Sequence, residues 1–368
     1  VFFNFQNQPQ KYLTTIALIV FLILIPVIRY WEYFCCSIDI NEYEQKYSTS
    51  QYVLGEKSPQ KISDSELYVY AGYAYVKGED PTTINFEHPP LAKYFYGLFH
   101  HLTGNPYRAN LPLYGGILGL FYLLSGLVTS KKVWRWLALM VMGTFALIQV
   151  HLRYALLDLP LLFAYLLFFY GLLGNFKGNK KALIVGIGLG IAATVKYPFP
   201  LVALLVMFLA IDAWKKKELR EAVIALIISA IIYFASYTMF FVHNHNLLDW
   251  FAFEKYRLSW FMGKTDAPKF LNLHTLFTGQ YKTWWEGGGY EKTAHWSITW
   301  PLVFVGSVGG FLLGLKRKEY RLLVLTSFAY LQLLIYGLGA AASDRFFITL
   351  LPFWVLGSVY LLITIKKL

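Results

Sequence analysis

"LAKYFYGLFHHLT" (91–103) is the stretch on which the fold turns. At roughly 1.5 Å per residue a helix of this length extends about 20 Å, short of a hydrocarbon core of ~30 Å, so the sequence predicts a helix lying at the membrane surface. Apolar runs surround it: "LTTIALIVFLILIPVI" (13–28), "LLFAYLLFFYGLL" (161–173) and "EAVIALIISAIIYFASYTMFFV" (221–242). Of the 368 residues 57% are hydrophobic and 15% charged, and the mean hydropathy is +0.46. That composition belongs to a membrane protein and leaves no sizeable soluble domain.

Counting apolar runs as crossings gives about ten spans, near 13–31, 109–129, 136–151, 155–174, 182–195, 197–213, 222–242, 299–315, 322–338 and 346–364. The fold class expected is an all-α polytopic membrane protein, a single transmembrane domain over 1–368. Parity tests the count. The basic clusters "SKKVWR" (130–135), "FKGNKK" (176–181), "WKKKELR" (214–220), "KRKEYR" (316–321) and the closing "KKL" all fall on one side if 91–103 does not cross. Basic loops mark the cytoplasmic side, so both termini are expected there. The same scatter argues against nucleic acid as the partner of the formal charge of +12. Cys35 and Cys36 are adjacent, a spacing ill-suited to an unstrained disulfide.

Two long stretches then face the other compartment: 32–108 and 243–298. Both are aromatic-rich, as in "YVYAGYAYV" (68–76) and "WFAFEKYRLSWF" (250–261), which suits interfacial helices. Parity also gathers polar groups there. Asp64, Glu66, Glu87 and His88 lie in the first outer stretch, Asp158 near the outer end of the fourth span, Lys196 at an outer turn, Arg257 in the second outer stretch, and Arg345 at the start of the last span.

Each has a bland reading. "SDSE" (63–66) fits a capping box in which Ser63 caps a helix and Glu66 reaches back. Asp64 would then suit the first turn, where the helix dipole favours a carboxylate, although capping does not require it. Glu87 and His88 are ordinary loop residues or ligands of a metal or phosphate, with Pro89 and Pro90 fixing the start of the next helix. Lys196 and Arg345 either snorkel or bind an anion. An acid close to hydrocarbon, as at Asp158, is costly and marks a functional site by default.

"SDSELYVYAGYAYVKGEDPTTINFEHPPLAKYFYGLF" (63–99) resembles the first-loop signature of the protein O-mannosyltransferase family and the related aminoarabinose and other transferases of the GT-C fold. "RYALLDLPLLFAYLLFFYGLL" (153–173) is similar to their second signature, and "TAHWSITWPL" (293–302) and "DRFFITLLPFWVL" (344–356) are weaker matches. The resemblance implies that Asp64 is the catalytic acid of the first motif, Asp158 the second essential aspartate, Glu87 a carboxylate that binds metal in some relatives, and His88 a neighbour of the donor phosphate. Many relatives have Asp-Glu where Ser65 follows Asp64 here. Glu66 therefore stays a catalytic candidate, and its capping alternative favours Asp64 as the base.

Such enzymes move a sugar from a polyprenyl or dolichyl phosphate to an acceptor hydroxyl with inversion. They need a base opposite the leaving group and positive charge on the departing phosphate. Asp64 can serve as the base and His88 neighbours the phosphate by the resemblance, while Lys196, Arg257 and Arg345 are candidates for the phosphate by their charge; a divalent metal ion held by Glu87 and Asp158 could assist, as in those relatives that use one. The acceptor is a Ser/Thr protein, a lipid or a glycan. The expected site is extracytoplasmic, in a prokaryotic cell membrane. Rivals are an oligosaccharyltransferase, from "WWEGGGY" (284–290), a lipid-linked-sugar flippase, from "GIGLGIAATVKYPFP" (186–200), and a non-catalytic membrane subunit.

Overall fold

The computed structural model describes residues 10–366 except 197–198, 263–268, 283–288 and 340–342. Most of "WWEGGGY" and two residues of "KYPFP" thus lie outside the described residues. The molecule is all-α in class, 80% helical. One small antiparallel hairpin, Gln280–Lys282 with Tyr290–Lys292, sits in the stretch 243–298 and is not legible as a strand pattern.

Among the described residues helices occupy all ten apolar stretches. Four are long and apolar enough to cross a membrane: Pro106–Val128, Leu219–Ser236, Thr299–Arg317 and Tyr320–Gly339. Leu13–Arg29, Asp158–Leu173 and Leu351–Ile365 are apolar but shorter. Two expected spans are interrupted. The stretch 136–151 is two helices, Lys132–Gly143 and Ala146–His151. The Gly143 carbonyl freed at the break accepts from the Tyr114 hydroxyl at 2.8 Å and from Gln149 Nε2 at 2.9 Å, so the interruption does not leave it unmet. The stretch 222–242 breaks at Tyr237, between Leu219–Ser236 and Thr238–Val242.

The helices pack through an aromatic centre in which Phe169 lies 4.7 Å from Phe328 and 5.6 Å from Phe353, centroid to centroid. Leu91–Thr103 is a discrete 13-residue helix. Pro90 precedes its first residue, and Gly104 ends it in the left-handed conformation, φ +73°. Its inner face, Ala92, Lys93, Tyr96 and Gly97, is buried, whereas Leu98 and Leu102 are exposed. The buried face crosses the helix Asp64–Val76 at glycine against glycine: a β-carbon on Gly97 would stand 2.0 Å from the Gly72 carbonyl oxygen. Only residues without a side chain permit that approach.

The stretches 32–108 and 243–298 meet. Phe86 packs against Tyr256 and Trp260, each 5.4 Å between ring centroids, and His88 lies 5.7 Å from Phe261. His243 Nε2 is 2.8 Å from the Gly78 carbonyl, and His245 Nε2 is 3.1 Å from the buried Asp80.

Candidate active site

Asp64 opens the helix Asp64–Val76, and the capping box expected from "SDSE" is present. The Glu66 amide donates to Ser63 Oγ at 3.3 Å, and Glu66 Oε2 accepts from the Ser63 amide at 3.1 Å and from its hydroxyl at 2.7 Å. Lys46 Nζ adds a 2.7 Å ion pair to Glu66 Oε1. Burial raises the pKa of the Glu66 carboxyl, but Lys46 and Ser63 outweigh it and hold the group below its ordinary value. Both oxygens of Glu66 are therefore committed to holding the helix start, which is the structural alternative raised for it.

Ser65, between the two acids, is buried, and its Oγ accepts from the Ala155 amide at 2.9 Å. That bond ties the first motif to the loop ahead of Asp158. Tyr96 holds the same loop from the helix Leu91–Thr103, donating to the Leu156 carbonyl at 2.7 Å. Asn110 Nδ2 reaches the carbonyls of Leu152 and Tyr154, both at 2.9 Å. With the loop so fixed, Asp158 begins the helix Asp158–Leu173, where the helix dipole favours its negative charge.

The two aspartates each hold a cation from a distant part of the chain. Arg345 Nη1 donates to Asp64 Oδ2 at 2.6 Å, and Lys196 Nζ to Asp158 Oδ1 at 2.7 Å. The pairs are neighbours. Arg345 feels the charge of Asp158 as well as Asp64, and Lys196 lies 4.8 Å over the ring of Phe346, the residue after Arg345. They differ in access: the Asp64 side chain is 37% exposed, that of Asp158 only 2%.

His88 stands in the field of Lys196, Lys93, Arg345 and Arg257. Burial, reinforced by those cations, holds the His88 imidazole well below its ordinary pKa, so it is neutral at physiological pH. Glu87 Oε2 accepts from the Tyr52 hydroxyl at 3.2 Å. Arg257 is fully buried and bonds Glu254, the Tyr237 hydroxyl at 2.5 Å and the Tyr233 hydroxyl at 2.9 Å.

Among the described residues no group of three or more His, Cys, Asp or Glu side chains is placed to hold a metal ion. Asp158 Oδ1 accepts from Lys196, and Glu87 Oε2 accepts from Tyr52.

Two further residues belong to this region and went unread in the sequence. Lys93, on the helix Leu91–Thr103, is fully buried, and its ammonium donates to the carbonyls of Asn85 at 2.9 Å and His88 at 2.7 Å, with the Tyr68 and Tyr75 rings 5.6 and 5.8 Å away. It fixes the backbone that presents Glu87 and His88. The only signal was its place in "EHPPLAK". His151 is buried, with Nδ1 2.7 Å from the Leu147 carbonyl, and it feels Asp158 and Asp344.

No family model matches this chain, and no curated protein or solved structure matches it.

Proposed function

We propose that this protein is a membrane glycosyltransferase that moves a monosaccharide from a polyprenyl phosphate to an acceptor hydroxyl with inversion. The observation that carries the reading is the pairing of Asp64 with Arg345 and of Asp158 with Lys196 at one end of the helices. Acceptor and donor chemistry need an accessible base and grouped cations. Asp64 is the open acid, so it is the base. Asp158 is enclosed, so it orients Lys196 and takes no proton from the acceptor.

In the step proposed, the acceptor oxygen attacks the anomeric carbon and its proton passes to Asp64. The bond from that carbon to the phosphate oxygen breaks, and the electron pair leaves with the phosphate. Arg345 turns from Asp64 to the departing phosphate together with Lys196, in bidentate fashion for the guanidinium. Neutral His88 donates a hydrogen bond to the same group. Turnover that survives addition of a chelator would show that the step needs no divalent metal ion.

The topology that goes with this reading has about ten crossings, cytoplasmic termini, and Leu91–Thr103 lying on the extracytoplasmic side as the floor of a lateral opening for the prenyl tail. Exposed Leu98 and Leu102 on that helix suit contact with lipid.

The test is release of free polyprenyl phosphate from mannosyl- or glucosyl-phosphopolyprenol by protein in lipid, with peptide, lipid and glycan acceptors. Turnover by wild type that Asp64→Asn abolishes supports the transferase. Donor movement across the bilayer without release supports a flippase instead, and binding without turnover a non-catalytic subunit.

A further inference from the structure

The same end of the molecule carries two arginines that this reaction does not use. The Arg153 guanidinium lies 4.9 Å from the Tyr154 ring, 5.4 Å from Tyr33 and 5.5 Å from Tyr30. Arg29, the last residue of the helix Gln10–Arg29, lies 5.4 Å from the same Tyr30 ring. Among the described residues neither side chain makes a hydrogen bond or an ion pair, and Arg153 Nε is buried without a partner. Lys196, Arg345 and Arg257, by contrast, each face a carboxylate.

Two like charges sharing one ring repel, and a tyrosine face supplies a guanidinium with no hydrogen-bond acceptor in its plane. An oxyanion placed between them would meet both needs, and phosphate geometry matches the guanidinium fork. His295 lies in the field of both arginines and of Asp344, so this cluster borders the Arg345 region from the side of the first helix.

The surroundings say what carries the anion. Arg29 closes an apolar helix, and its neighbours Ile28 and Trp31 are 74% and 61% exposed. Exposed isoleucine, arginine and tryptophan at the end of an apolar helix form the pattern of the headgroup level of a bilayer. A phosphate meeting Arg29 there arrives on a lipid.

We infer that Arg29 and Arg153, walled by Tyr30, Tyr33 and Tyr154, bind the phosphate of a membrane phospholipid headgroup. The site stands independently of the transfer reaction, because it uses neither aspartate and neither of their cations.

The experiment is native mass spectrometry of the full chain in detergent, titrated with phosphatidylglycerol, with diacylglycerol of the same acyl chains, and with glycerol phosphate. One retained phosphatidylglycerol is expected, with binding at least tenfold weaker for Arg29→Gln and for Arg153→Gln. Arg29 is exposed, so Arg29→Gln should keep the wild-type thermal transition and report binding alone. Undiminished phosphatidylglycerol binding by both variants overturns the inference. So does equal retention of diacylglycerol, which would make the contact purely apolar. Glycerol phosphate bound as tightly as the lipid overturns the assignment to a membrane source.

Discussion

Gly72 and Lys93 meet backbone to backbone: a β-carbon on Gly72 would stand 2.0 Å from the Lys93 carbonyl oxygen. The ammonium of that same lysine holds the Asn85 and His88 carbonyls. The helix crossing and the loop that carries Glu87 and His88 are therefore one mechanical unit. Gly72→Ala is expected to destabilise the fold by about 1–3 kcal/mol, the usual cost of overpacking, and to lower transfer activity. Gly119→Ala, where a β-carbon meets nothing within 4 Å, should leave both unchanged. Thermal unfolding in lipid compares the two; an unaltered Gly72→Ala transition would show that the helices separate without cost.

Glu66 is a cap in this structure, and glutamine also completes a capping box. Glu66→Gln should keep nearly all transfer activity, whereas a loss as deep as that of Asp64→Asn would return the base to Glu66. Its carboxyl sits below its ordinary value of 4.5, so the contribution to stability is present above that pH and lost as pH falls through the folded value. Wild type should lose stability below about pH 4.5 more steeply than Glu66→Gln, as read by unfolding curves across pH.

Asp158 and Lys196 form an enclosed pair, and removing one partner strands the other charge. Asp158→Asn and Lys196→Met are each expected to destabilise by about 3–5 kcal/mol, and the double variant by less than the sum. Chemical unfolding of all four proteins gives the coupling; strict additivity would mean that the two side chains do not interact.

His88 is held below its ordinary pKa of 6.5, so the unfolded chain protonates first as pH falls. The sign follows: full stability above pH 6.5, declining between 6.5 and the lower folded value. His88→Gln should flatten that decline while reducing transfer. A transfer profile of the wild type that titrates near pH 6.5 would contradict a neutral His88.

The helical class, the positions of the apolar helices, the cap at Ser63 and the short helix at 91–103 were legible because each rests on local spacing or composition. The grouping of Asp64, Asp158, Lys196 and Arg345 was legible only through parity, which gives a side and a depth but no partners. That Arg345 chooses Asp64 and Lys196 chooses Asp158 depends on how Ser65, Tyr96 and Asn110 seat the 152–156 loop, through bonds spanning 42 to 90 residues. Lys93 was hidden for another reason: on a helix read as interfacial, a lysine looks like a snorkelling cation, and only the glycine crossing beneath it encloses the side chain. The break at Tyr237 carries neither proline nor glycine, so no local signal announced it, whereas Gly143 stands immediately before the break at Thr144.

The two aspartate–cation pairs have a consequence for selectivity. With Arg345 and Lys196 each already paired to an aspartate, an arriving phosphate does not add to a vacant positive patch; under the proposed reaction it must trade places with a carboxylate. Such an exchange gains little from charge alone, so inorganic phosphate and other small anions are expected to compete poorly even in excess. A ligand wins the exchange only if it contributes something besides charge, and a long prenyl chain leaving water does so at about 0.8 kcal/mol for each buried methylene. Discrimination of a lipid-linked donor from its soluble fragments would then reside in the resting ion pairs, before any pocket has read the sugar.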